Sequence, residues 1–104
     1  MPYKRRSLST FDNSFNEIVD YLSEIAPSIS LRFINELNQQ IEPISDSPYL
    51  YPVYEYDERF RKMPMNDWKY IVFYTADVEK QEIILYDILH MSRDIPTYLK
   101  DRFK

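Results

Sequence analysis

The chain has 104 residues and a formal net charge of −4, with 44% hydrophobic and 29% charged residues, which suits one ordinary domain around a modest core. It holds no cysteine, no glycine and one histidine, excluding disulfide scaffolds, thiolate zinc sites, sites of two or three imidazoles, cysteine nucleophiles and glycine-built phosphate loops, dinucleotide fingerprints and nucleophile elbows. No apolar run reaches the roughly 18 residues that cross a bilayer and no signal-like apolar stretch opens the chain, so the expectation is a cytoplasmic protein without membrane, metal or cofactor.

Residues 3–8 read as a short strand of low apolar content. Cap formers follow, with Ser14 and Glu17 at capping-box spacing and Thr10 or Asp12 as other possible starts. Phe11, Phe15, Ile18, Leu22 and Ile25 recur at steps of three and four and predict an amphipathic helix that Pro27 ends. Ile29, Phe33, Leu37 and Ile41 predict a second helix from Pro27 to Pro43. The two form an antiparallel hairpin whose apolar stripes need a sheet to cover them. Residues 43–57 carry Pro43, Pro48 and Pro52 among four tyrosines and read as an extended surface segment. Its rings could stack on bases or cover the edge of the core.

From residue 58 the pattern turns to β. Arg59 to Met63 is a short strand, Trp68 to Thr75 a longer one, and Gln81 to His90 a third that is apolar on both faces. Simple alternation sets Ile83, Leu85 and Leu89 on one face and Ile84, Tyr86, Ile88 and His90 on the other. Asn66 and Asp67 make the first turn in place of glycine, Ala76 to Lys80 the second, and Pro96 to Phe103 a closing helix. The predicted domain, residues 1–104, is α+β: a strand, a helical hairpin, a three-stranded antiparallel meander and a short helix, with the helices on one face of the sheet.

Charge is segregated along the chain. Lys4, Arg5 and Arg6 make residues 1–9 basic, nine acids against Arg32 alone occupy residues 10–57, and basic excess returns at 58–69 and 90–104. If the basic segments meet they form a positive patch on an acidic body, suited to phosphate or to an acidic peptide. Asp87 lies mid-strand among Leu85, Ile88 and Leu89. It needs either a solvated face or a base such as Arg61 or Lys69, because a buried unpaired carboxylate is costly.

The element order resembles the RelE/ParE superfamily of toxins from type II toxin–antitoxin modules. The resemblance spans nearly the whole chain. It rests on the helical hairpin, the Pro-rich loop ending in Arg59 and Arg61, the tyrosine-ended strand Tyr70 to Tyr74, and the Leu89-His90-x-x-Arg93-Asp94 ending. It implies a growth-inhibiting toxin, a cognate antitoxin as partner, and a toxin–antitoxin hetero-oligomer.

Two mechanisms stay open, of which the first is the expectation and the second the alternative. In the first the protein is a ribosome-dependent endoribonuclease acting on mRNA. His90, Arg59, Arg61, Arg93 and Tyr98 are then catalytic candidates, and Lys62, Lys69 and Tyr86 candidates for contacting RNA or a partner. Such chemistry needs an activated 2′-hydroxyl, charge stabilisation at phosphorus and a proton donor. In the second the protein binds and poisons DNA gyrase without catalysis. Ribonuclease members carry arginine where this chain has Ile71, and the chain's acidity is unlike theirs; both points fit the second mechanism. In that case His90 is structural, held by a neighbouring carboxylate such as Asp94 or Asp87.

Overall fold

The computed structural model describes residues 2–104. Its elements run β1 (Lys4–Ser7), α1 (Ser9–Ile25), α2 (Pro27–Ile41), a 3-10 turn (Glu42–Ser45), β2 (Arg61–Pro64), β3 (Tyr70–Asp77), β4 (Glu82–His90) and α3 (Ile95–Arg102). The sheet order is β1-β4-β3-β2. β2, β3 and β4 form the antiparallel meander, while β1 joins β4 in parallel. This is the α+β arrangement read from the sequence.

The hairpin forms where the apolar period demands it. α1 starts at Ser9, not at Ser14, and its cap position is Leu8 without a side-chain cap. Pro27 forces the break, because Ala26 before it adopts extended geometry. Phe11, Ile18 and Leu22 from α1 and Phe33, Leu37 and Ile41 from α2 pack on Val72, Tyr74, Ile83, Leu85 and Ile88 of the sheet. Ile25, the last member of the predicted stripe, is exposed.

α3 does not join the hairpin. Ile95 and Leu99 pack with Phe73, Leu89, Phe60 and Tyr54 as a second apolar cluster. Phe73 lies between Val72 and Tyr74 on one strand, so this cluster occupies the opposite face. The expectation of helices on one face is therefore corrected: both faces of β3 and β4 are covered, and the segment before β2 helps to cover the second. Tyr54 is buried there and Tyr51 packs on the first cluster, while Tyr49 and Tyr56 stay exposed.

Alternation along β4 is interrupted. Phe73 stands opposite Asp87 but Tyr74 stands opposite Leu85, so Tyr86 is an extra residue, a β-bulge. The bulge shifts the phase by one. Ile88 shares the hairpin face with Ile83 and Leu85, whereas Leu89 falls on the α3 face with Tyr86. Simple alternation assigned those two residues the other way round.

Without glycine, two tight turns use other residues in the left-handed region: Asp67 at φ 64° and Gln81 at φ 51°. Aspartate tolerates that region better than glutamine does. We predict that Gln81→Gly stabilises the fold by about 0.5–1 kcal/mol, and that Gln81→Val destabilises it by more. Urea midpoints at constant m-value check both.

Candidate functional site

The most constrained polar group is Asp87. β1 ends opposite Leu85, so the next stretch of β4 loses its neighbour on that side. Groups from α1 and α3 fill the space. Leu8 N–H donates to the Leu85 carbonyl at 3.0 Å and Thr10 Oγ donates to the Tyr86 carbonyl at 2.5 Å. The fully buried Asp87 accepts from Ser14 Oγ at 2.6 Å, from Ile88 N–H at 2.8 Å and from Tyr98 O–H at 2.5 Å. Neither expected arrangement holds. The residue is not solvated, and no ion pair to Arg61, Lys69 or any other base is formed among the described residues. Three neutral donors satisfy it instead. Ser14, which capping-box spacing had placed at a helix start, is one of them.

Tyr98 is set by the same contact. Burial, reinforced by the hydrogen bond to Asp87 and its nearby charge, pushes the phenol up to about 12. The ring is stacked under Arg93, whose guanidinium carbon is 3.9 Å from its centroid. Arg93 also lines a shallow cleft of about 170 Å³ with His90, Tyr70, Ser14 and Glu17. His90 is exposed and its ring meets Tyr70 edge-on at 5.3 Å. Ser92 N–H donates to His90 Nδ1 at 3.1 Å and Ser92 Oγ lies 2.8 Å from it. A backbone N–H only donates, so Nδ1 holds a lone pair and the neutral ring carries its proton on Nε2. Serine, not a carboxylate, holds this histidine. His90 shares the face of Ile88 and Tyr70, not that of Tyr86, because of the bulge.

The other candidates lie elsewhere. Arg59 precedes β2 and grips Asp57 through two nitrogens at 2.7 and 2.9 Å. It also donates to the carbonyls of Phe103 and Leu99 at the end of α3, where a cation complements the helix dipole. The hydrogen bonds from Arg59 hold the Asp57 carboxyl below its ordinary range, and Asp57 holds the guanidinium above its own. Arg59 and Tyr86 line a second cleft, of about 440 Å³, with Arg102 and Lys104. Tyr86 stacks edge-on with Phe60 and Phe103 at 5.0 and 5.2 Å.

Arg61 opens β2 opposite Tyr74, donates to the Tyr51 carbonyl at 2.8 Å and covers the Tyr49 ring at 4.6 Å. Arg59 and Arg61 were expected to point to one face. They do not, because Arg59 lies in the turn before the strand and not in it. Lys62 pairs with Glu55 at 3.0 Å. Lys69 is exposed beside the His90 rim, its carbonyl accepting from Met91 N–H at 2.9 Å. Tyr70 stands opposite His90, and Arg61 opposite Tyr74. Those positions lie four residues apart along β3, about 13 Å, and are separated by a further strand spacing on each side. The structure thus puts Arg93 beside both His90 and Tyr98 and leaves Arg59, Arg61 and Lys62 apart. Among the described residues, no three His, Asp or Glu side chains gather as metal ligands, and no helix is long and apolar enough to cross a membrane.

Against known proteins, the profile of the family described as "ParE toxin of type II toxin-antitoxin system, parDE" matches residues 8–95. The fold is similar to that of a chain in the chromosomal ParDE toxin–antitoxin system from P. aeruginosa. The TM-score is 0.71 at 15% identity, over 85% of this chain and 95% of that one. It is also similar to a chain of the RelBE2 toxin–antitoxin complex from Mycobacterium tuberculosis. There the TM-score is 0.57 at 14% identity, over 86% and 99%. No curated protein sequence matches. The chain belongs to the ParE toxin family of type II toxin–antitoxin systems, within the RelE/ParE superfamily that the sequence resembles.

Two predictions follow from the Asp87 centre. Asp87→Ala leaves three donors without an acceptor and lowers stability by about 2–4 kcal/mol, read from denaturant unfolding. The folded state also holds the Tyr98 proton more tightly than the unfolded chain, whose tyrosine titrates near 10. That stability is full below pH 10 and is lost as pH rises toward 12. Tyr98→Phe reduces this alkaline loss in a melting-temperature profile from pH 8 to 12.

Proposed function

We propose that this ParE-family toxin inhibits growth by binding and poisoning DNA gyrase, and that a cognate antitoxin neutralises it. The observation that carries this reading is the dispersal of its cations. RNA cleavage needs a base, an acid and cationic groups within hydrogen-bond reach of a single phosphate. Arg59 is committed to Asp57 and to the end of α3, and Arg61 to the Tyr51 carbonyl. Tyr98 is held as a neutral donor to Asp87. The lone pair at His90 Nδ1 is occupied by Ser92 N–H. Ile71, where ribonuclease relatives would carry arginine, faces the α3 cluster. A protein that acts by docking needs no such convergence. The two similar structures named above belong to a ParDE toxin–antitoxin system and a RelBE2 toxin–antitoxin complex, which supports an antitoxin as partner.

Induction of the toxin without antitoxin should stop thymidine incorporation before amino-acid incorporation, and the purified protein should inhibit supercoiling by gyrase at near-stoichiometric ratio. The double variant His90→Ala with Arg61→Ala should remain toxic. Early loss of protein synthesis with cleaved mRNA, abolished by that double variant, would overturn the gyrase reading in favour of ribosome-dependent cleavage.

A further inference from the structure

The cleft of about 440 Å³ on the α3 face of the sheet has a floor and a rim of different chemistry. The floor is aromatic. Tyr86 meets Phe60 and Phe103 edge-on at 5.0 and 5.2 Å, and Phe60 and Phe103 lie 5.7 Å apart. Phe60 is buried, whereas Tyr86 and Phe103 are half-buried. Tyr86 is the extra residue of the β4 bulge, a device that re-aims a side chain at the expense of local pairing.

The rim is cationic. Arg59, Arg102 and Lys104 line the cleft, and among the described residues no acidic side chain does. Arg59 is held by Asp57 and donates to the carbonyls of Leu99 and Phe103. Those bonds tie the segment before β2 to the end of α3, so the walls are fixed before anything enters, which lowers the cost of binding. Arg102 and Lys104 are exposed and have no ion pair among the described residues.

Charge selects the occupant. The acidic helices α1 and α2 lie across the sheet. Layers packed about 10 Å apart exceed the screening length of about 8 Å at physiological salt. Two free cations match a pair of carboxylates but not the run of phosphates that a nucleic-acid strand presents. Open aromatic rings flanked by arginine have the composition of an interface hot spot. We infer that this cleft receives an acidic segment of the toxin's target protein. An aromatic or aliphatic side chain of that segment seats against Tyr86 and Phe103, and its neighbouring carboxylates pair with Arg102 and Lys104. The inference rests on the reading that the toxin docks on gyrase, and it names where that contact forms.

A fluorescein-labelled peptide of sequence Glu-Asp-Phe-Glu-Asp tests it, by anisotropy with the full-length chain. Binding is expected, with affinity about tenfold lower for the peptide with lysine at every acidic position and for the double variant Arg102→Gln with Lys104→Gln. Thr75→Glu, which brings an acid to the cleft wall, should weaken binding from a third position. Arg32→Gln, on the hairpin, should leave it unchanged. Amide chemical-shift changes on binding should centre on Thr75, Tyr86 and Phe103. Equal affinity for both peptides, no binding, full affinity in the double variant, or shifts centred elsewhere overturns the proposal. So does an oligo(dT) octamer that competes with the acidic peptide and binds more tightly, which assigns the cleft to nucleic acid. Supercoiling assays separate this inference from the reading beneath it. The double variant should inhibit gyrase about tenfold less well than the unaltered chain. Inhibition that the double variant retains in full sinks the cleft alone, whereas no inhibition by the unaltered chain sinks the gyrase reading and leaves the peptide measurements to decide the cleft.

Discussion

A carboxylate inside a protein is tolerable only when every acceptor direction is met, and Asp87 organises the molecule on that condition. Its donors come from three elements: Ser14 on α1, Ile88 on β4 and Tyr98 on α3. α1 lies on one face of the sheet and α3 on the other, so a single side chain ties both layers to the central strand. The bulge at Tyr86 sets its phase, so that residue 87 stands opposite Phe73. The same slip sends Ile88 to the hairpin core and Leu89 to the α3 core, and so decides which residues share a surface with His90.

The arginines follow a second constraint. α3 is short, and its last carbonyls have no intrahelical partner. Arg59 supplies donors there while Asp57 balances its charge. Two residues on, Arg61 satisfies a loop carbonyl and covers an exposed tyrosine ring. Both guanidiniums thus hold loops and a helix end onto the sheet. Residues whose type suggested phosphate chemistry are engaged in building the fold.

What the sequence showed depended on the range of the signal. Helix period and proline breaks are local, and they placed α1 and α2 within a few residues. The strands were legible for the same reason. The bulge was not, because an extra residue in β4 is defined only by its partner in β3. With it went the faces of Ile88, Leu89 and His90. The partners of Asp87 were equally hidden. Ser14 is 73 residues away in the chain, and its spacing from Glu17 offered a nearer explanation. Only the oddity of an acid among apolar residues flagged the position. Arg59 has a local signal in Asp57, two residues earlier, which is its partner. The side of the sheet chosen by α3 had no signal in its own mixed composition. It follows from Phe73 and Leu89, which needed cover on the face the hairpin leaves open.

The arrangement of charge bears on what kind of partner the protein can hold. Binding a polyanion is driven by counterions released when cations meet phosphates. Here Arg5, Arg6, Arg32, Arg59 and Lys62 each lie within 4 Å of one of the chain's own carboxylates. At those five a phosphate must break such a pair before it gains a contact, and the net charge of −4 opposes its approach. A folded protein surface makes no such demand. Its core contacts depend on shape and apolar area, and its rim charges need only local complementarity. Tyr21, Leu31, Tyr49, Leu50 and Tyr56 are large, apolar or aromatic, and exposed, whereas Arg59 and Arg61 are dispersed and engaged by the chain's own groups. That contrast supports the proposed action by docking on a protein.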